Sequence, residues 1–166
     1  MGKKSKNADT PVDPEAQAKL VITAIKSYAQ PVFQKVVDLG DDNDFSLLQR
    51  TMDMIRQDTS EQVKSCSILL LTAGKSDVAV LASVAENQTN IDGSKWVQAT
   101  LDAVNTVGHI KPTATKGCGR AICNAEAFPI KEVDSASAAG FQYLKSVGAM
   151  VEDDESSEEF YNLNDI

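Results

Sequence analysis

Histidine is nearly missing from this chain: His109 is the only one among 166 residues. That excludes a catalytic or zinc-binding centre built on several imidazoles. Cysteine is scarce too. Cys66, Cys118 and Cys123 do not supply the paired framework of a small secreted domain, and with His109 they match no common zinc-finger spacing. Aromatic residues make up 5% of the chain, with Trp96 the one tryptophan, so platforms for stacking bases are few. No apolar run is long enough to cross a bilayer, and the first residues lack the apolar core of a secretory signal. No ATP-binding motif and no aspartate-rich metal motif is found. These absences lead us to expect a cytoplasmic protein in a reducing compartment, with no membrane partner, metal, cofactor or catalytic residue.

What the chain does have is charge, unevenly placed. The formal net charge is −8, yet residues 151–166 hold seven acids and no base, while residues 1–6 carry Lys3, Lys4 and Lys6; residues 7–150 between them stand at −4. The acidity is mostly a property of the tail, so it argues only weakly against a local cationic site. We expect a disordered basic head over 1–14, a linker helix over 15–30, a globular domain over 31–149 and a disordered acidic tail over 150–166.

Within the body, hydrophobic spacing sets the elements. Leu20, Ile22, Ala24, Ile25 and Tyr28 recur as on a helix, which Asp13-Pro14 starts as N-cap and first-turn proline. The apolar face of that helix needs a partner, the domain or a second copy. Pro31 to Leu39 is apolar and β-branched and reads as a strand. Asn43 or Asp44 caps a helix marked by Phe45, Leu48, Met52 and Ile55, and Asp58 to Lys64 reads as a polar loop. Cys66 to Ala73 is a buried strand that turns through Gly74-Lys75-Ser76-Asp77 into a second strand, Val78 to Ala85. A helix starting at Ser94 follows, then a glycine-rich loop. Ala121 to Ile130 is ambiguous, and Asp134 caps a last helix with Ala136, Ala139, Tyr143, Leu144 and Val147 inward. The succession describes an α/β fold, a small mixed sheet flanked by helices.

Ser94 to Arg120 is the stretch with functional content. Val97, Leu101 and Val104 form one helical face, beside Trp96. Gly108, Gly117 and Gly119 then break the pattern, and Pro112 blocks a continuing helix. From Val107 to Asn124 the charged residues are Lys111, Lys116 and Arg120, with no acid among them and His109 as a further donor. Glycine-rich backbone exposes N–H groups, and cations beside it attract phosphate. The candidate nucleic-acid-binding residues are therefore Lys95, Gly108, His109, Lys111, Lys116, Gly117, Gly119 and Arg120.

Trp96-Val97-Gln98 in a short helix, then Gly108 to Lys111, then the small-residue run Ala114 to Gly119, together resemble the C-terminal domain of alanyl-tRNA synthetase, a member of the DHH-associated domain family. The upstream order of strand, helix and two strands parted by G-K-S-D fits as well, so the resemblance spans roughly Val32 to Val147. It departs at Gly108-His109-Ile110-Lys111, where the family has a run of glycines before the lysine, and at Cys123 to Val133, which looks like an addition. The resemblance implies a noncatalytic domain that follows the rest of the synthetase. Such a domain docks on the elbow of alanine tRNA, links editing to aminoacylation and helps dimerisation. Some domains of this kind bind DNA instead. The editing pattern H-x-x-x-H with a downstream Cys-x-x-x-His is missing.

Other readings stand beside this one. Trp96 reads as core or as a contact between domains before it reads as a stacking platform. Lys111, Lys116 and Arg120 are also what an exposed loop uses to stay soluble. As whole-chain alternatives we weigh a dimerisation or protein-interaction module that has lost nucleic acid, and the accessory half of a DHH-type phosphoesterase.

Overall fold

The computed structural model describes residues 13–28, 30–40, 44–104, 113–115, 118–123 and 128–150. In chain order these form α1 (Pro14–Tyr28), β1 (Val32–Val36), α2 (Phe45–Arg56), α3 (Glu61–Lys64), β2 (Ser67–Ala73), β3 (Asp77–Ser83), α4 (Gly93–Asp102), β4 (Thr113–Thr115), β5 (Cys118–Ile122) and α5 (Pro129–Ser146). The fold is α/β. Among the described residues one mixed sheet has the order β1-β2-β3-β5-β4, parallel between β1 and β2 and antiparallel elsewhere.

The central strands owe their place to composition. Ser67–Ala73 is apolar at nearly every position, which suits a strand covered on both sides rather than one with a wet face. Alternation then divides the core in two. Leu69, Leu71, Val78 and Val80 meet Trp96, Val97 and Leu101 of α4 and Val133, Ala136 and Leu144 of α5. Ile68, Leu70, Ala79 and Leu81 meet Leu48, Met52 and Ile55 of α2, Val63 of α3, and Ala18, Val21 and Ile25 of α1. Helices thus cover both faces, and β1 and β4 are the sheet edges.

Local chemistry fixes the ends. Asp44 caps α2, its carboxylate accepting from Ser46 N at 3.0 Å. Asp92 caps α4, accepting from Ser94 N at 3.0 Å and Lys95 N at 3.2 Å. Arg56, at the end of α2, donates to Val63 O (2.9 Å), Cys66 O (2.8 Å) and Ser83 O (2.8 Å), and through Nε to Ser83 Oγ (2.7 Å). One guanidinium thereby joins α2, the α3–β2 junction and the end of β3.

Several expectations need correction. Asp58 to Lys64 is not wholly loop: Glu61–Lys64 forms a helical turn because Val63 is fully buried against α1 and α2. The stretch expected as a glycine-rich loop contributes β4 and β5, drawn into the ladder by the free edge of β3. The last helix begins at Pro129, five residues before Asp134; proline is pre-set for a first turn, and Val133 is buried there. Of the two partners expected for the apolar face of the helix over 15–30, the domain or a second copy, it is the domain that α1 packs on. Ala18, Val21 and Ile25 are buried, Gln17 Oε1 accepts from Asp38 N at 3.3 Å, and Lys26 pairs with Asp58 at 3.4 Å.

Candidate nucleic-acid interface

α4 places the start of the candidate stretch. Trp96, Val97, Thr100 and Leu101 are buried on its inner side, and Trp96 is 0% exposed. The indole is core, out of reach of a base. Its neighbour Lys95 is exposed in the first turn. α4 ends at Asp102, and the chain returns as the edge hairpin β4–β5, with Thr113 opposite Arg120 and Thr115 opposite Cys118.

β5 places two further candidates. Gly119 is buried between Val80 of β3 and Ala114 of β4, so its backbone lies inside the sheet and not in an open loop. Arg120 follows on the other face, in register with Ala79, whose side belongs to α1 and α2. Its guanidinium carbon lies 5.4 Å from the centre of the Phe45 ring, a cation–π contact with the first residue of α2. Asp44 is close by. Its carboxyl is held below the ordinary carboxylate range chiefly by the Ser46 hydroxyl, then by the Ser46 N–H, with the Arg120 charge a smaller contribution.

Lys95 and Arg120 therefore stand on opposite sides of the sheet. Lys95 rides on the helix over the Val78–Val80 face, and Arg120 reaches toward α2. Gly108, His109, Lys111, Lys116 and Gly117 lie outside the described residues.

The thiols are poor metal ligands or nucleophiles at neutral pH. Burial pushes Cys66 up to about 11. Cys123 is also pushed up to about 11, by burial and then by the charges of Glu132 and Asp77. Burial raises half-buried Cys118 as well. Among the described residues no three His, Cys, Asp or Glu side chains group as metal ligands, and no helix is long and apolar enough to cross a membrane.

Sequence reasoning passed over the polar groups at the other end of the sheet. Gln30, Gln62, Asn87 and Gln88 converge there around a hollow, brought together from segments far apart in the chain. Their only sequence signal is a richness in amides within stretches read as polar loop.

No family model and no curated protein matches the sequence.

Proposed function

We propose that this chain is a noncatalytic nucleic-acid-binding domain of the kind that ends alanyl-tRNA synthetases, docking on the elbow of alanine tRNA and tethering the catalytic and editing parts of the enzyme to it. The observation that carries this reading is the path of the cationic segment. After α4, whose Trp96 is locked in the core, it supplies β4 and β5, and Arg120 of β5 stands exposed beside the edge strand β4 with its guanidinium over the Phe45 ring; Lys111 and Lys116 precede it in the sequence, outside the described residues. Cations close together in sequence suit a backbone of phosphates, and so few of them give weak binding with a salt slope of only a few units. Such binding becomes useful when the domain is tethered to a larger enzyme.

The test is a mobility-shift titration of alanine tRNA, an unrelated tRNA and duplex DNA at several salt concentrations. Lys111→Ala with Lys116→Ala weakens binding of alanine tRNA in this reading. Equal affinity of the double variant and the parent sinks it, and preference for duplex DNA reassigns the partner.

A second reading, a protein-contact or dimerisation module, is favoured by one flank. Val36 on the edge strand β1 is 40% exposed, and Ile130 near the start of α5 is 70% exposed. Gln34 bonds Ser137, one heptad after Ile130, and Val36 follows Gln34 on the same strand face, so both apolar groups belong to the β1–α5 flank. This reading requires a concentration-dependent mass in sedimentation and no shift of tRNA or DNA.

A further inference from the structure

The starting ends of the parallel strands β1 and β2 lie side by side, Val32 against Ser67. Segments from distant parts of the chain meet there, and polar side chains lock them. Gln88 donates from Nε2 to Pro31 O at 2.7 Å and to Ser65 O at 2.8 Å, and its Oε1 accepts from Ser67 Oγ at 3.0 Å. Ser67 Oγ in turn accepts from Ala85 N at 2.9 Å. Asn90 donates to Val147 O at 3.0 Å, pulling the end of α5 against the loop. Gly148, at φ 77°, then turns the chain along the rim. The result is an open hollow of about 520 Å³, lined mostly by exposed residues.

Its lining has a definite chemistry. Gln88 is saturated, a fixed floor. The amides of Gln30, Gln62 and Asn87 border the same space and make no hydrogen bond among the described residues, so each presents a donor and an acceptor in one plane. Glu61 adds a carboxylate, and among the described residues no lysine or arginine lines the hollow. Pro31 and Ala149 add apolar surface against which a flat ring can lie. Among these residues a phosphate finds no cation and meets a carboxylate. A nucleobase edge finds the paired donor and acceptor that amides offer it, and a carboxylate is a good acceptor for ribose hydroxyls.

We propose that this hollow binds an uncharged nucleoside, with its base edge on the Gln62 and Asn87 amides and its ribose hydroxyls on Glu61. The site does not use the cationic segment, so it stands or falls apart from the tRNA reading. The probe is adenosine, titrated into the full chain and followed by the side-chain amide resonances of Gln62, Asn87 and Gln30. Adenosine gives a saturable shift of these amides and binds at least about threefold more tightly than AMP, since the added phosphate meets Glu61 and no base. Gln62→Ala and Asn87→Ala each weaken adenosine by about three- to tenfold, the worth of a hydrogen bond. Glu61→Gln reduces the preference for adenosine over its 2′-deoxy analogue. These are surface changes, and unchanged circular dichroism shows that each variant folds. Once adenosine binds, tRNA titration of Asn87→Ala identifies the source of the ligand. Weakened tRNA binding means an unpaired nucleotide of RNA, and unchanged binding means a free nucleoside. The proposal is overturned by no saturable shift up to the solubility of adenosine, by AMP binding as tightly as adenosine, or by variants that bind adenosine as the parent does.

Discussion

Trp96 donates its indole N–H to Gln34 Oε1 over 2.9 Å, joining the helix over one face of the sheet to its edge strand. Gln34 spends its own N–H groups on Ser137, at 3.0 Å to the carbonyl and 3.3 Å to the hydroxyl. One amide therefore holds α4, α5 and β1 together. Gly140 makes this possible, because a methyl group there would run into Gln34 Oε1 and lie 2.8 Å from Thr100 Oγ1.

Gly140→Ala should therefore act through Gln34. The methyl pushes the amide away, the buried Trp96 N–H loses its acceptor, and the expected loss is about 2–4 kcal/mol from crowding and the orphaned donor. Urea unfolding reads it as a lowered midpoint. In a Gln34→Ala background the same change meets no amide, so its cost falls by more than half in a double-mutant cycle. A Gly140→Ala midpoint equal to the parent's shows that α4 and α5 are not packed this closely.

Arg56 is the corresponding link on the other face. Its donors satisfy the carbonyls of Val63, Cys66 and Ser83 and the Ser83 hydroxyl, so Arg56→Met leaves four acceptors without their donor and costs about 2–4 kcal/mol. Arg56→Lys recovers less than half of that, since a compact ammonium does not span acceptors that a planar fork reaches together. Thermal midpoints of the two variants check the ranking. If lysine restores the parent's midpoint, charge rather than the fork is what matters.

The two faces differ in how openly the sequence declared them. The run from Ile68 to Leu71 announces a covered strand without any neighbour known, and Asp44 ahead of Phe45, Leu48, Met52 and Ile55 announces a capped helix. β5 gives no such signal. Gly119 and Arg120 look like turn residues, and they become strand only because the free edge of β3 pairs with them, a tertiary effect that local propensity does not carry. The error reaches the candidate site. Once β5 is a strand, period-two alternation sends Arg120 to the face away from α4, whereas a loop reading leaves Lys95 and Arg120 free to act together. Gln34 was hidden for another reason, being a polar residue in an apolar strand whose partners lie 62 and 103 positions away.

The buried thiols give a pH dependence with a defined sign. In the unfolded chain Cys66 and Cys123 ionise near their ordinary 9.0, while in the fold each keeps its proton to about 11. Between those values the folded state binds more protons, so this contribution to stability is intact below pH 9 and is lost as pH rises through 11. Chemical denaturation across that window should show falling stability, with a flatter profile for the Cys66→Ala, Cys123→Ala variant. Equal steepness in both assigns the alkaline loss to other groups. At pH 8 a thiol reagent should modify half-buried Cys118 first, leaving the other two until the chain unfolds.

The separation of Lys95 from Arg120 leads to a test that treats the two cations differently. A nucleic-acid backbone lying along the β4–β5 edge on the α2 side passes Arg120 and has the sheet between itself and α4. Arg120 is already oriented by the Phe45 ring, so little side-chain freedom is lost when a phosphate arrives. Arg120→Ala should weaken tRNA binding and reduce the salt slope by about one, as expected for one lost phosphate contact. Lys95→Ala should leave both unchanged within error. The opposite result, with Lys95 mattering and Arg120 silent, moves the binding face to the α4–α5 side of the sheet. Equal losses from both substitutions require the polyanion to wrap the sheet edge, and a double variant then shows the full sum of the two effects.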